Sequence, residues 1–148
     1  MKQKLVLIGN GMAGVRALEE LFKHNTSDEK GSDQYDITVI GAEPHPNYNR
    51  IMLSPVLAGE QTIDDIILNS LEWYEENNIT LVTGDAATEI SRVKRSVIIE
   101  SGKVFPYHRL LIATGSTPFL IPIPGSAKEC VLGLRDIYDV NTTVQAPR

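Results

Sequence analysis

A complete G-x-G-x-x-G motif, Gly9-Asn10-Gly11-Met12-Ala13-Gly14, stands between the apolar run 5–8 and a stretch of helical periodicity. No other feature confines the chain as much, because each glycine answers a separate steric demand. Gly9 permits the tight turn out of the strand, Gly11 admits a pyrophosphate against the backbone, and Gly14 lets the helix lie close to its strand. Amides at the helix start then face the phosphates, assisted by the helix dipole. Leu5, Val6, Leu7 and Ile8 have the unbroken apolar character of a strand covered on both faces. Met12, Val15, Leu18, Leu21 and Phe22 recur at helical spacing, with Arg16, Glu19, Glu20 and Lys23 between them.

A second strand is expected over residues 37–40, with Glu43 just past its end. An acidic residue at that place accepts hydrogen bonds from ribose hydroxyls. Glu43 lies beyond the usual spacing of about 20 residues from the glycines. The polar, glycine-containing segment 26–34 accounts for the distance as a surface insertion after the helix. The plainer reading is a glycine-rich turn with no ligand beside an exposed glutamate, and it needs three independent features to coincide.

At 148 residues the chain has the length of one ordinary domain, 42% hydrophobic and 22% charged. A chain of this size buries roughly 70% of its unfolded surface, so stability requires neither metal nor disulfide. A net charge of −5, spread along the sequence, argues against a nucleic-acid surface. With Cys130 as the single cysteine, no internal disulfide and no cysteine-built metal site can form. The amino-terminal apolar run is too short for a signal peptide or a membrane span, and a reduced, cytoplasmic setting without a membrane partner is expected.

Further along, the prolines and asparagines of 44–50 predict a loop, 51–57 a helix closed by Gly59, and 68–78 another helix with Leu71, Trp73 and Tyr74 on its apolar side. A third parallel-type strand is expected over 79–82, ended by Thr83-Gly84-Asp85. The two-residue rhythm of 87–90 and 96–100, followed by 104–107, predicts a small antiparallel meander. Residues 110–113 read as a last buried strand ended by Thr114-Gly115-Ser116. Pro118, Pro122 and Pro124 forbid regular structure, and 134–140 predicts a short helix with Asp136 near its start. The fold class that satisfies this order is α/β, a Rossmann-like domain with a parallel sheet plus the small antiparallel meander.

The succession of Gly9–Gly14, Glu43, Tyr48-Asn49-Arg50-Ile51-Met52-Leu53-Ser54, Gly84-Asp85, Ala113-Thr114-Gly115-Ser116-Thr117-Pro118 and Leu134-Arg135-Asp136 resembles the FAD-dependent pyridine-nucleotide reductases. Residues 47–60 and the Trp73-Tyr74 helix resemble the nitrite reductase branch of that superfamily, in the amino-terminal part of its large subunit. The similarity covers nearly the whole chain apart from 26–34. It implies that the first glycine motif holds FAD, while NAD(P)H binds at a second one further on. By the same resemblance Gly11, Met12 and Ala13 carry backbone contacts to the pyrophosphate, flanked by Gly9 and Gly14, and Glu43 binds the adenosine ribose. Ala87 takes the family position at the adenine edge, and Arg50 that of a basic residue near the phosphates and flavin. Ala113, Thr114 and Gly115 form the turn returning beside the cofactor, and Arg135 matches an arginine directed toward the FAD. Plainer readings stay open: surface charges at Arg50 and Arg135, structural positions at Ala87 and Thr114. Tyr48 either stacks or packs, and His24, His45 and His108 have no supporting constellation.

The departures are informative. Many relatives have a lysine after the Leu-Ser pair, where this chain has Pro55. The cysteine pair of the disulfide reductases is missing, which excludes a thiol–disulfide relay, and Cys130 is expected to be a small buried hydrophobe. There is no second glycine motif, no cysteine set for an iron–sulfur cluster and no sirohaem domain. The chain therefore reads as an incomplete FAD-binding domain, an amino-terminal fragment inactive by itself, whose partners are FAD and the remainder of the reductase. No side chain stands out as a catalytic acid, base or nucleophile. Two other readings share these residues: the start of an NADH-dependent rubredoxin or ferredoxin reductase, and a non-catalytic nucleotide-binding or assembly module, including a homodimer.

Overall fold

The computed structural model describes residues 1–24, 34–128 and 131–146. Cys130 and nearly all of the expected insertion at 26–34 lie outside these residues. The chain divides into two compact units, one comprising Met1–Tyr48 and Leu68–Gly115, the other Asn49–Ile67 and Ser116–Arg148.

The first unit is built on strands β1 (Gln3–Ile8), β2 (Tyr35–Ile40), β3 (Ile79–Val82) and β7 (Arg109–Ile112). They form a parallel sheet in the order β3-β2-β1-β7. Helix α1 (Met12–Lys23) connects β1 toward β2, as the glycine motif and the helical periodicity require. Strands β4 (Ala87–Ser91), β5 (Ser96–Ile99) and β6 (Val104–Pro106) make the antiparallel meander, with an irregularity between Ala87 and Glu89.

The apolar run of β1 divides between two cores because successive side chains leave a strand on opposite faces. Leu5 and Leu7 join Leu18, Ile37, Val39, Tyr74 and Ile79, with Phe22 and Trp73 packed around them. Val6 and Ile8 join Ile40, Val97 and Ile99, so the meander closes the other face. Each fully buried aliphatic side chain contributes about 1.5–3 kcal/mol by leaving water, and this two-sided burial holds the carboxyl ends of β1 and β2 in place.

Three expectations for this unit need correction. The helix expected over 68–78 is α3 (Leu71–Glu76). Ser70 is extended at φ −70°, ψ 166° and caps the helix by accepting from Trp73 N–H, so the helix starts after it, while the amides of Leu68 and Asn69 donate to Asn47 O at 2.9 and 3.3 Å. Leu71, expected on the apolar side, is 54% exposed, whereas Tyr74 is 1% exposed. Nor is β7 a fully buried strand. Among the described residues it pairs only with β1, and Ile112 is 57% exposed.

In the second unit a 3₁₀ turn, Arg50–Met52, leads into α2 (Leu53–Leu57), and Gly59 follows at φ +77°. The Asn49 side chain caps the turn by accepting from Ile51 N–H at 3.1 Å. Helix α4 (Ile137–Gln145) replaces the one expected over 134–140. Its start is set by a capping box: Asp139 N–H donates to Asp136 Oδ1 at 2.9 Å, and Asp136 N–H donates to Asp139 Oδ2 at 3.2 Å. Ile137 and Val140 are buried. Asp136→Ala is expected to fray α4 and cost about 1 kcal/mol, read as a lowered thermal midpoint.

Candidate functional site

The carboxyl ends of the parallel strands bring several loops of the first unit together. Gly9 leaves β1 at φ +109°, and its N–H donates to Ile40 O at 2.8 Å. A Cβ on Gly9 would stand 2.2 Å from Ala113 O and 3.0 Å from Thr114 N. A Cβ on Gly14 would stand 2.8 Å from Gly9 O and 3.2 Å from Ala113 Cβ. The turn after β1 and the turn after β7 are thus in van der Waals contact, with glycine required at both positions. Gly115 continues the second turn at φ +78°.

Gly11 differs from its two neighbours in the motif. It is the N-cap of α1, with no side-chain cap, and a Cβ there would meet nothing within 4 Å. The helix therefore starts with its unpaired amides, those of Met12 and Ala13 among them, beneath an open cradle. Such a start attracts an anionic diphosphate, because the amides point outward and the helix dipole is positive there.

Beyond β2, Gly41 N–H donates to Val82 O at 2.8 Å and Gly84 N–H donates to Glu43 O at 3.0 Å, which ties the loop carrying Glu43 to the end of β3. Tyr48, itself buried, donates its hydroxyl to Glu43 Oε2 at 2.5 Å. Ala87 begins β4 just after the same loop. Asp85 accepts from Ser101 N–H at 3.0 Å, and hydrogen bonding by Ser101 holds its carboxyl below the usual range.

Gly9, Gly11, Met12, Ala13, Gly14, Glu43, Ala87, Ala113, Thr114 and Gly115 all belong to the first unit. Arg50 and Arg135 belong to the second, where Arg50 Nη1 donates to Arg135 O at 3.0 Å. Arg135 N–H in turn donates to Asp139 Oδ2 at 2.6 Å, joining this pair to the cap of α4.

Sequence reasoning missed a polar network beneath the site. The Tyr74 hydroxyl donates to Asn10 Oδ1 at 2.7 Å and accepts from Asn47 N–H at 3.2 Å. Asn10 Nδ2 donates to His45 O at 3.2 Å. Asn47 Nδ2 donates to Asn69 Oδ1 at 2.8 Å, and Asn69 Nδ2 donates to Glu19 Oε1 at 3.0 Å. The Asn69 amide keeps the Glu19 carboxyl below its ordinary range, and burial pushes the Tyr74 phenol up, so it remains a hydroxyl donor at neutral pH. The one signal in the sequence was an aromatic hydroxyl on a buried helical position, which must find a partner.

A parallel sheet, a glycine turn opening a helix and a carboxylate past the second strand define a dinucleotide-binding protein of the Rossmann type. The family described as Pyridine nucleotide-disulphide oxidoreductase matches residues 3–147. The chain belongs to that family, in agreement with the resemblance read from the sequence. It is 48% identical over 147 residues to "Nitrite reductase [NAD(P)H]" of Bacillus subtilis, covering 99% of this chain and 18% of that protein. It is also 48% identical over 138 residues to "Assimilatory nitrate reductase electron transfer subunit" of the same organism, covering 93% of this chain and 17% of the relative. Among solved structures, the NADH:rubredoxin oxidoreductase of Clostridium acetobutylicum matches with a TM-score of 0.78 at 29% identity, over 96% of this chain and 35% of that one. The chain thus spans under a fifth of the length of these curated relatives.

Among the described residues, no group of His, Cys, Asp and Glu is arranged to hold a metal ion, and no helix is long and apolar enough to cross a membrane.

Proposed function

We propose that residues 1–148 are the FAD-binding, amino-terminal part of an NAD(P)H-dependent nitrite reductase large subunit. The observation that carries this is the open cradle at Gly11, with Glu43 held beside the same sheet end by Tyr48. The backbone at Gly11, Met12 and Ala13 would bind the pyrophosphate, and Glu43 would accept from the adenosine ribose hydroxyls. Ala87 would border the adenine, while Gly9, Gly14, Ala113, Thr114 and Gly115 would shape the cradle. Arg50 and Arg135 would supply positive charge toward the cofactor. When bound, FAD supplies hydride acceptance from NAD(P)H and onward release of single electrons. In the parent protein those electrons would pass to sirohaem and iron–sulfur centres outside this chain, in a cytoplasmic assimilatory enzyme.

The identity of 48% to the nitrite reductase, against 34% to the NADH-rubredoxin oxidoreductase of Clostridium acetobutylicum, supports the first acceptor over the second. Phe119, Leu120, Ile121 and Ile123 are exposed, an apolar stretch that the rest of such a reductase or a second copy of the chain would cover.

The chain is expected to take up one FAD, to retain flavin absorbance through gel filtration, and to gain thermal stability. A ligand at about 100 times its Kd adds about 2.7 kcal/mol to the native state. A colourless protein whose melting is unchanged by FAD would end this reading. Cysteine-rich cluster motifs downstream in the parent reading frame favour nitrite reduction, and their absence favours a small electron-carrier protein as acceptor.

A further inference from the structure

We propose that Asn10 and Tyr74 form a clamp that fixes the glycine turn against the loop carrying Glu43, making both positioning residues for the dinucleotide. The inference rests on the FAD-binding reading and adds the part of the protein that sets the spacing of its two subsites.

Asn10 is the residue between Gly9 and Gly11, a position the motif leaves open. Its side chain bridges to the neighbouring loop, giving Nδ2–H to His45 O at 3.2 Å and receiving the Tyr74 hydroxyl on Oδ1 at 2.7 Å. The Asn10 Cβ approaches so closely that a Cβ on Gly41 would lie 2.9 Å from it. Tyr74 passes the constraint on. Its oxygen accepts from Asn47 N–H at 3.2 Å, and Tyr48, the next residue, donates to Glu43 Oε2 at 2.5 Å. A continuous path therefore runs from the amides of the glycine turn through Asn10, Tyr74, Asn47 and Tyr48 to the carboxylate.

Tyr74 is 1% exposed and Asn47 3% exposed, so water is kept from the bond between them, while the bonds at Asn10 and Glu43 are half-buried. A diphosphate and its ribose are covalently joined at a fixed distance. A protein that holds both receptors at that distance beforehand avoids the ordering cost of finding it on binding.

The test is a double-mutant cycle on the 148-residue chain, with Tyr74→Phe, Asn10→Ala and the pair, titrated with FAD and with ADP-ribose. Each single variant should weaken both ligands about tenfold, the factor one ordinary hydrogen bond is worth. The pair should lose clearly less than the product of the single losses, because both changes break the Tyr74–Asn10 bond, although Asn10→Ala also gives up the bond to His45 O and Tyr74→Phe the one from Asn47 N–H. Ile79→Val, at the opposite end of the sheet, should lower the melting temperature and leave both affinities unchanged. If Tyr74→Phe does not fold, Asn10→Ala, at a half-buried turn position, carries the test against the Ile79→Val control. Unchanged affinity in the folded single variants, or a multiplicative loss in the pair, overturns the clamp. Wild-type chain that binds neither FAD nor ADP-ribose overturns the FAD-binding reading and the clamp with it.

Discussion

Gly9→Ala is expected to be the most damaging single substitution in the chain, costing about 3–5 kcal/mol of stability, in the range reserved for gross steric or strain defects. Two independent penalties add at this position. The residue sits at φ +109°, where an L side chain is strained. The new Cβ would also fall 2.2 Å from the carbonyl oxygen of Ala113, a backbone atom that cannot swing aside. Relief requires β1 and β7 to separate at their carboxyl ends, giving up the Ala113 N–H to Ile8 O bond at 2.8 Å. Urea denaturation followed by far-ultraviolet circular dichroism measures the loss. A midpoint within the error of wild type would mean that the turn is not packed as described.

Gly11→Ala should do the reverse, leaving the fold nearly intact while removing the ligand. The backbone at Gly11 is extended at φ −108°, ψ 177°, which alanine adopts readily, and its Cβ would meet no atom within 4 Å. Alanine is a poorer N-cap than glycine, so about 0.5–1 kcal/mol of stability is expected to go. The added methyl would occupy the place where the pyrophosphate must approach, and FAD affinity is expected to fall about a hundredfold, or roughly 2.7 kcal/mol. Flavin fluorescence titration reads the difference. Wild-type affinity in this variant would put the diphosphate somewhere other than the start of α1. The two substitutions, two residues apart in one motif, separate a glycine the fold needs from a glycine the ligand needs.

The glycine turn was legible in the sequence because its demands are local: strand, turn and helix follow one another within a few residues. The parallel strands were legible for a related reason. Burial on both faces writes an unbroken apolar run, and β3 appears at the residues the pattern named. Helix limits were less accessible, since hydrogen bonds that periodicity does not encode decide them. The Ser70 cap starts α3, and the Asp136–Asp139 box starts α4 three residues later than expected. Among the described residues β7 pairs with β1 alone and Ile112 is exposed, and sheet order is something no local pattern carries. The support beneath the site was hidden by distance: Tyr74 and Asn10 are 64 residues apart, and each has an ordinary explanation on its own. The sequence pattern allows Tyr48 to stack or to pack, and its hydroxyl bond to Glu43 gives it a third part.

The contact between Gly9 and Ala113 also has a consequence for biosynthesis. β7 is made about a hundred residues after its neighbour β1, and the bond from Lys4 N–H to His108 Nδ1 beside the pair spans 104 positions. Closing so long a loop is slow compared with forming α1. The nascent polypeptide therefore carries its glycine motif well before β7 completes the receptacle proposed for the dinucleotide.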